Sequence, residues 1–303
     1  MTSFIKRNPG KKLLLGTLLC AWIILLLAQP STLELIKDYG LFGGLGVIGA
    51  IFANATGAGG GVVFVPFFNY LLFSPQSVVA TSFAIQCCGM TAGALTWATY
   101  FRRQHRHDDY WKALPSALML SVPASICGIG FAQYSSQSTR LLEQFWGGAN
   151  NLHIAFGSFS ILLAIAIFAS IPLMKRTHFE KDLSTKDLVL LPFIGFVGGI
   201  ITAWLSVGVG ELVAVYLIIR GFNVTMSIAI AVILSAFTVW SSLPYHVFIS
   251  DAIVWHVVLF AGAGAIVGGM IAKYVVLAFS VQRLKLFFGM WVLILGMTSL
   301  PIF

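Results

Sequence analysis

The chain has 303 residues, of which 58% are hydrophobic and 9% charged, and its formal net charge is +8. Apolar runs such as Ile154 to Pro172 and Val254 to Lys273 are continuous, which excludes a soluble domain and also a transmembrane β-barrel, whose strands alternate apolar and polar residues. The basic residues fall in short flanks between apolar runs and not along one polar face, so the charge reflects orientation in a membrane and not nucleic-acid binding.

The predicted fold class is an all-α polytopic membrane protein. Residues 1–38 hold a cytoplasmic tail with Lys6, Arg7, Lys11 and Lys12, then an extra apolar helix near 13–29. A basic flank before an apolar run also describes a signal peptide. Leu26-Leu27-Ala28 lacks the small-x-small cleavage pattern, so the helix is read as retained. Residues 39–56 lead into the cluster Gly57-Ala58-Gly59-Gly60-Gly61, and the chain restarts as a short apolar arm at 62–73. Spans follow near 77–101, 111–133 and 152–174. The polar stretch 175–186 is a cytoplasmic linker between two halves. The second half opens with a span at 187–207, breaks at Gly208-Val209-Gly210-Glu211 and restarts as an arm at 212–219. Spans near 225–248, 254–277 and 283–302 complete it. At about 1.5 Å per residue the second arm is too short to cross a bilayer as a helix, and the first is marginal. Both arms are candidates for re-entrant halves.

If each broken pair returns to its starting face, the basic residues fall on one side. These are the amino-terminal cluster, Arg102, Arg103, Arg106, Lys175, Arg176, Lys181, Lys186, Arg220, Lys273, Arg283 and Lys285. Lys37 and Arg140 are left clearly outside. The positive-inside rule then makes the amino terminus cytoplasmic and the carboxyl terminus periplasmic. Residues 39–174 and 187–303 each read as broken pair, helix, helix, helix, an odd number of net crossings, so the halves form an inverted-topology repeat. Echoes run in the same order: Gly57-Ala58-Gly59 with Gly208-Val209-Gly210, Asp109-Tyr110-Trp111 with Ile253-Val254-Trp255, and Phe156-Gly157 with Phe288-Gly289.

Matched breaks in two halves point to a substrate site near the midplane. Freed amides inside hydrocarbon need protein, water or ligand as partner. The first amides of a restarted helix carry partial positive charge and suit an oxyanion. Gly59, Gly60 and Gly61 are the expected anion cradle, faced by Gly210. The competing reading is that these glycines only permit close helix packing.

An interior without lysine or arginine must hold an anion with neutral donors. The candidates are Asn54 and Thr56 before the first break, Ser82 and Gln86 at spacing i, i+4 with Thr81 alongside, Ser206 before the second break, and Ser235 and Thr238, whose helical face continues to Ser242. Trp204 and Trp240 are possible cavity walls. Glu211 is the carboxylate expected inside the membrane, either as a proton-coupling group or as a structural cap on the second arm.

Gly57-Ala58-Gly59-Gly60-Gly61 leading to Pro66, then Pro75 and Val79-Ala80-Thr81-Ser82, a basic loop and Trp111 resemble the TauE/SafE family of sulfite and organosulfonate exporters. The resemblance spans most of residues 40–300 and is strongest in the first half. In the second half the glycine-rich break is reduced to Gly208-Val209-Gly210-Glu211, and the Thr-Ser pair falls on Ala231-Val232. The resemblance implies a secondary transporter of a small sulfur-containing anion (sulfite, sulfoacetate or another organosulfonate) in a bacterial inner membrane.

At an inside-negative potential of about 100 mV, moving one negative charge outward gains about 2.3 kcal/mol, so export needs no coupling ion. Proton-linked uptake through Glu211 is the alternative, and a non-transporting structural subunit is a third reading. An enzyme is not expected, because no nucleophile and base pair falls within the spans. No cofactor or metal is expected. His105, His107, Asp108 and Asp109 lack a partner motif to close a tetrahedral site, and Cys20, Cys87, Cys88 and Cys127 share no repeating spacing. His246, Asp251 and His256 flank a short external loop, as headgroup-level anchors beside Tyr245 and Trp255 or as pH sensors.

Overall fold

In the computed structural model the described residues are 9–57, 59–135, 149–172, 180–298 and 300. The expectations that concern Lys6, Arg7, Ala58, Arg140, Lys175 and Arg176 lie outside them. The described chain is helical throughout. Its order is α1 (Pro9–Leu27), α2 (Thr32–Tyr39), α3 (Leu41–Thr56), α4 (Gly61–Tyr70), α5 (Pro75–Tyr100) and α6 (Ala113–Tyr134), followed by α7 (Ala149–Ser170), α8 (Thr185–Leu205), α9 (Val209–Arg220), α10 (Val224–Phe248), α11 (Trp255–Ala278) and α12 (Val281–Thr298).

Five helical stretches, containing α5, α6, α8, α10 and α11, are long and apolar enough to cross a membrane. A sixth is counted if α1 and α2, bent by 111° to each other, form one span. The expected spans at 152–174 and 283–302 correspond to α7 and α12, whose stretches Ile154–Ser170 and Lys285–Thr298 are apolar helix. The bend before α2 follows from Pro30, which disfavours helix at the residue before it. Thr32 Oγ1 completes the turn by donating to the carbonyls of Leu26 and Gln29. The first arm is also shorter than expected: α4 ends at Tyr70, and Leu72 turns the chain with φ of 59°.

Local chemistry fixes several helix starts. Ser74 Oγ accepts from the Ser77 amide with Pro75 in the first turn of α5, and Asn223 Oδ1 accepts from the Met226 amide at α10. At α8, Asp187 Oδ2 accepts from both the amide and the hydroxyl of Ser184, at 2.8 and 2.7 Å.

Packing relies on small residues that bring backbones together, as membrane helices require when lipid is as apolar as the protein. Gly46, Gly264 and Gly268 close α3 onto α11, where an added methyl would strike the carbonyls of Ala261, Gly43 and Val47. Gly128, Gly195 and Gly199 do the same between α6 and α8, against the carbonyls of Phe196, Ser121 and Ser125. Other close pairs are α5 with α11, α6 with α10, α5 with α10, α7 with α12, and α9 with α10.

Each short helix folds back along the helix that precedes it. In the second half Tyr216 Oη donates to Asp187 Oδ1 at 2.6 Å, and Arg220 Nε donates to the same oxygen at 2.7 Å. The end of α9 therefore lies beside the start of α8. In the first half Phe42, at the start of α3, meets Phe67 and Phe68 near the end of α4, with ring centroids 6.1 and 6.2 Å away.

Basic segments near residues 100–112, 180–182, 220 and 273 meet at one end of the molecule. Lys181 pairs with Asp109 at 2.8 Å, and Lys112 pairs with Asp182 at 2.9 Å. The amide of Glu180 donates to Gly221 O, and Lys273 lies 5.1 Å from the Tyr100 ring. The hydrogen bond to Asp109 raises the pKa of the exposed Lys181 ammonium.

Candidate functional site

The ends of α3 and α8 adopt left-handed geometry. Gly57 stops α3 at φ of 81°, the usual helix-terminating conformation for glycine. Ser206 stops α8 at φ of 59°, a conformation uncommon outside glycine, and the chain then passes through Gly208 at φ of 145°. Both restarts, α4 and α9, begin in the buried interior.

The two turns interlock. A methyl on Gly61 would collide with the Ser206 carbonyl, and a methyl on Gly210 with the carbonyl of Gly57 and the hydroxyl of Ser235. Across this contact Glu211 joins the halves. Its Oε1 accepts from the Gly59 amide at 2.7 Å, and its Oε2 accepts from the Gly208 amide at 3.0 Å. Glu211 is 3% exposed. A carboxylate thus occupies amides at both restarts. The Val209 amide is taken by Thr202 Oγ1 at 2.8 Å.

Gln86 provides the second link. Its Oε1 accepts from the Gly60 amide at 2.9 Å. Its Nε2 donates to Ser82 Oγ, Ser206 O and Ser206 Oγ at 3.0, 3.0 and 2.8 Å. Ser206 Oγ in turn donates to Ser82 Oγ at 3.0 Å. One helix of the first half, α5, therefore reads out both turns through a single amide side chain.

Of the residues singled out from sequence, Gly59, Gly60, Gly61, Ser82, Gln86, Ser206, Gly210 and Glu211 meet at this point. Ser235 adjoins it beside Gly210, with its hydroxyl buried and without a hydrogen-bond partner among the described residues. Thr56 lies on its edge, donating to Phe52 O at 2.7 Å and lining a small cavity with Glu211.

Three candidates point elsewhere. Asn54 Nδ2 donates to Ala50 O and Gly89 O, which ties α3 to α5. Thr81 Oγ1 accepts from the Val254 amide and anchors the segment before α11. Thr238 Oγ1 donates to Leu234 O and lies 2.9 Å from Ser125 Oγ of α6. Further along the same face, Ser242 Oγ accepts from Gln133 Nε2 at 2.6 Å.

One expectation is corrected. The interior is not free of lysine: Lys285, grouped by sequence with the cytoplasmic flank, is 3% exposed and lines the small cavity with Glu211 and Thr56. A signal was available, since Lys285 precedes Gly289, Val292 and Gly296 at i, i+4, i+7 and i+11, and all four are buried. His246, expected beside the external loop, is buried as well. It is 6% exposed, stacks on Phe83 with centroids 5.0 Å apart, and lies 3.4 Å from Gln133 Nε2.

Together the apolar spanning helices and the pair of buried turns define a polytopic helical membrane protein with polar chemistry at its centre. The family description "Sulfite exporter TauE/SafE" matches residues 42–298, and the chain belongs to this family of membrane transporters. Comparison with curated proteins gives no match, nor does comparison with solved structures.

Proposed function

We propose that the protein is a secondary transporter that exports a small sulfur-containing oxyanion, such as sulfite, sulfoacetate or another organosulfonate, across a bacterial inner membrane. One observation carries the reading: the Glu211 carboxylate is held by amides from both helix restarts, Gly59 and Gly208. Those amides offer paired donors of the kind an oxyanion needs, and the Glu211 carboxyl group takes them up. The transported anion takes the place of that carboxylate, with Gln86, Ser82, Ser206 and Ser235 supplying neutral polar groups around it.

The halves 39–174 and 187–303 act as an inverted repeat that rocks about this point. The packing supports this, because the most extensive pairings have exchanged counterparts: α3 with α11 and α8 with α6, α5 with α11 and α10 with α6, α5 with α10, and α7 with α12. The fold-back of α4 onto α3 and of α9 onto α8 supports re-entrant pairs. The ion pairs that gather residues 109, 112, 181 and 182 at one end support a single basic, cytoplasmic face with a periplasmic carboxyl terminus.

Flux of radiolabelled sulfite and sulfoacetate in proteoliposomes tests the reading. Saturable flux driven by an imposed membrane potential is the expected result. Its absence for these anions and for sulfate sinks the proposal and leaves the structural-subunit reading. Burial of Glu211 favours a second reading, proton-linked uptake. In that case an inward proton gradient with the potential clamped drives accumulation by the wild type and not by Glu211→Gln.

A further inference from the structure

Lys285 stands one helical turn inside α12, just beyond the exposed Arg283 at the basic end of the molecule. Lysines at such positions ordinarily extend toward the headgroups. This one turns inward. The stripe that follows it is packed on α7, with Gly289 against Phe168 and Ile167, and Gly296 against Ser160 and Ile161. Outside that stripe, Phe287 and Trp291 stack on Phe52 of α3, at 5.6 and 5.9 Å. The rotation of α12 is therefore set on both sides, and Lys285 faces the interior because its neighbours do.

There it lines a cavity with Thr56, Ile167, Glu211, Ala214 and Val215, whose free space of about 10 Å³ is roughly that of one water. Lys285 forms no ion pair with any described carboxylate. The two residues line the same gap with no ion pair between them, and Glu211 spends its oxygens on Gly59 and Gly208. A lysine buried to 3% exposure with no ion pair to a described carboxylate is costly in a dry interior unless a ligand supplies its counter-charge.

We propose that Lys285 is the cationic ligand of the transported anion, receiving it on the basic side of the two interlocked turns. The geometry couples binding to release of the plug. A one-water gap cannot admit a sulfite-sized anion, so the Glu211 side chain must move to make room, and the same movement frees the amides of Gly59 and Gly208. The incoming anion then has a full positive charge on one flank and amide donors on the other. A lysine, with three donors about a compact charge, tolerates anions of different shape better than a planar guanidinium does. This inference rests on the anion-transport reading above and adds the charge that completes its site.

The test compares sulfite flux in proteoliposomes for the wild type, Lys285→Met and Lys285→Arg. Lys285→Met should raise the half-saturating sulfite concentration by about tenfold or more, as expected when one charged partner leaves a desolvated site. Lys285→Arg should recover part of that loss. A Lys285→Met half-saturation equal to the wild-type value overturns the role of Lys285 and leaves the transport reading intact. Absence of saturable wild-type flux overturns the transport reading and this inference with it. If Lys285→Met does not fold, because Glu211 is left as the lone charge, the Lys285→Met/Glu211→Gln double variant restores neutrality. Its half-saturation should exceed that of Glu211→Gln alone by a similar factor, and a value equal to that of Glu211→Gln overturns the proposal equally.

Discussion

Glu211 Oε1 accepts a hydrogen bond at 2.7 Å from the amide of Gly59, a residue 152 positions earlier in the chain. The bond crosses between the halves at the point where each has interrupted its own helix, and it joins parts that share no local sequence. With Oε2 on Gly208, the carboxylate satisfies amides that neither α4 nor α9 can satisfy within itself. Removing it exposes both at once.

Glu211→Gln keeps the size of the side chain but turns one acceptor into a donor, so a backbone amide then faces an NH₂ group. The expected cost is about 1–3 kcal/mol, that of one orphaned buried donor, read as a lower Tm of the purified protein in detergent. Sulfite should raise the Tm of this variant by more than it raises that of the wild type, because the anion finds an amide already vacant. Equal shifts for the two proteins would contradict occupation of the amides by anion.

Gly60 and Gly61 separate packing from binding. A methyl on Gly60 would press on the Phe64 ring at 2.7 Å and on Gln86 Cγ at 2.9 Å, buried side-chain atoms that must shift to make room. A methyl on Gly61 would meet the carbonyl of Ser206, which is backbone and cannot yield without moving α8. Gly61→Ala should therefore destabilise by roughly 1–3 kcal/mol and reduce the yield of folded protein. Gly60→Ala should cost less stability than Gly61→Ala, because side chains and not backbone must shift, and should impair sulfite flux more per folded molecule. The ratio of flux to folded protein, measured by size-exclusion recovery, checks the order.

Gln86 joins both turns through one side chain, and its loss is correspondingly expensive. Gln86→Leu leaves the Gly60 amide and the Ser206 carbonyl without this partner, at roughly 1–3 kcal/mol for each buried group. Ser82→Ala removes one acceptor while Gln86 Nε2 keeps Ser206, so its effect should be much smaller. Thermal unfolding of the two variants side by side tests the ranking.

The matched turns were legible because glycine clusters interrupt long apolar runs, and the pairing of Ser82 with Gln86 was legible because i, i+4 places two side chains on one face. Depth was not legible. Ser235, Thr238 and Ser242 share a face, but a helix rises about 1.5 Å per residue. The stripe therefore covers roughly 10 Å, and only Ser235 reaches the turns, while Thr238 and Ser242 bond to α6. Thr81 adjoins Ser82 in sequence yet points about a quarter-turn away, toward the Val254 amide. Lys285 was hidden for a different reason: charge assigned it to the flank, whereas the buried stripe of α12 assigns it to the core. Where the two signals conflict, helix rotation decides, and a single sequence states it only through the small residues that follow.

The hold of α9 on α8 rests on Asp187, which is fully buried and accepts from Tyr216, Ser184 and Arg220. Arg220→Met should destabilise by about 3 kcal/mol, near the low end for breaking a buried pair, because the arginine side chain is 34% exposed and part of its charge is already solvated. Asp187→Asn should cost about the same, since Arg220 then lacks its carboxylate and Ser184 its helix-capping acceptor. The double variant should cost less than the sum of the two, with a coupling of about 1–3 kcal/mol. Because this clamp sets how far α9 can swing from α8, and Glu211 lies on α9, the same variants should change sulfite flux per folded molecule. Additive unfolding energies together with unchanged flux would refute a clamp that holds the second turn in register.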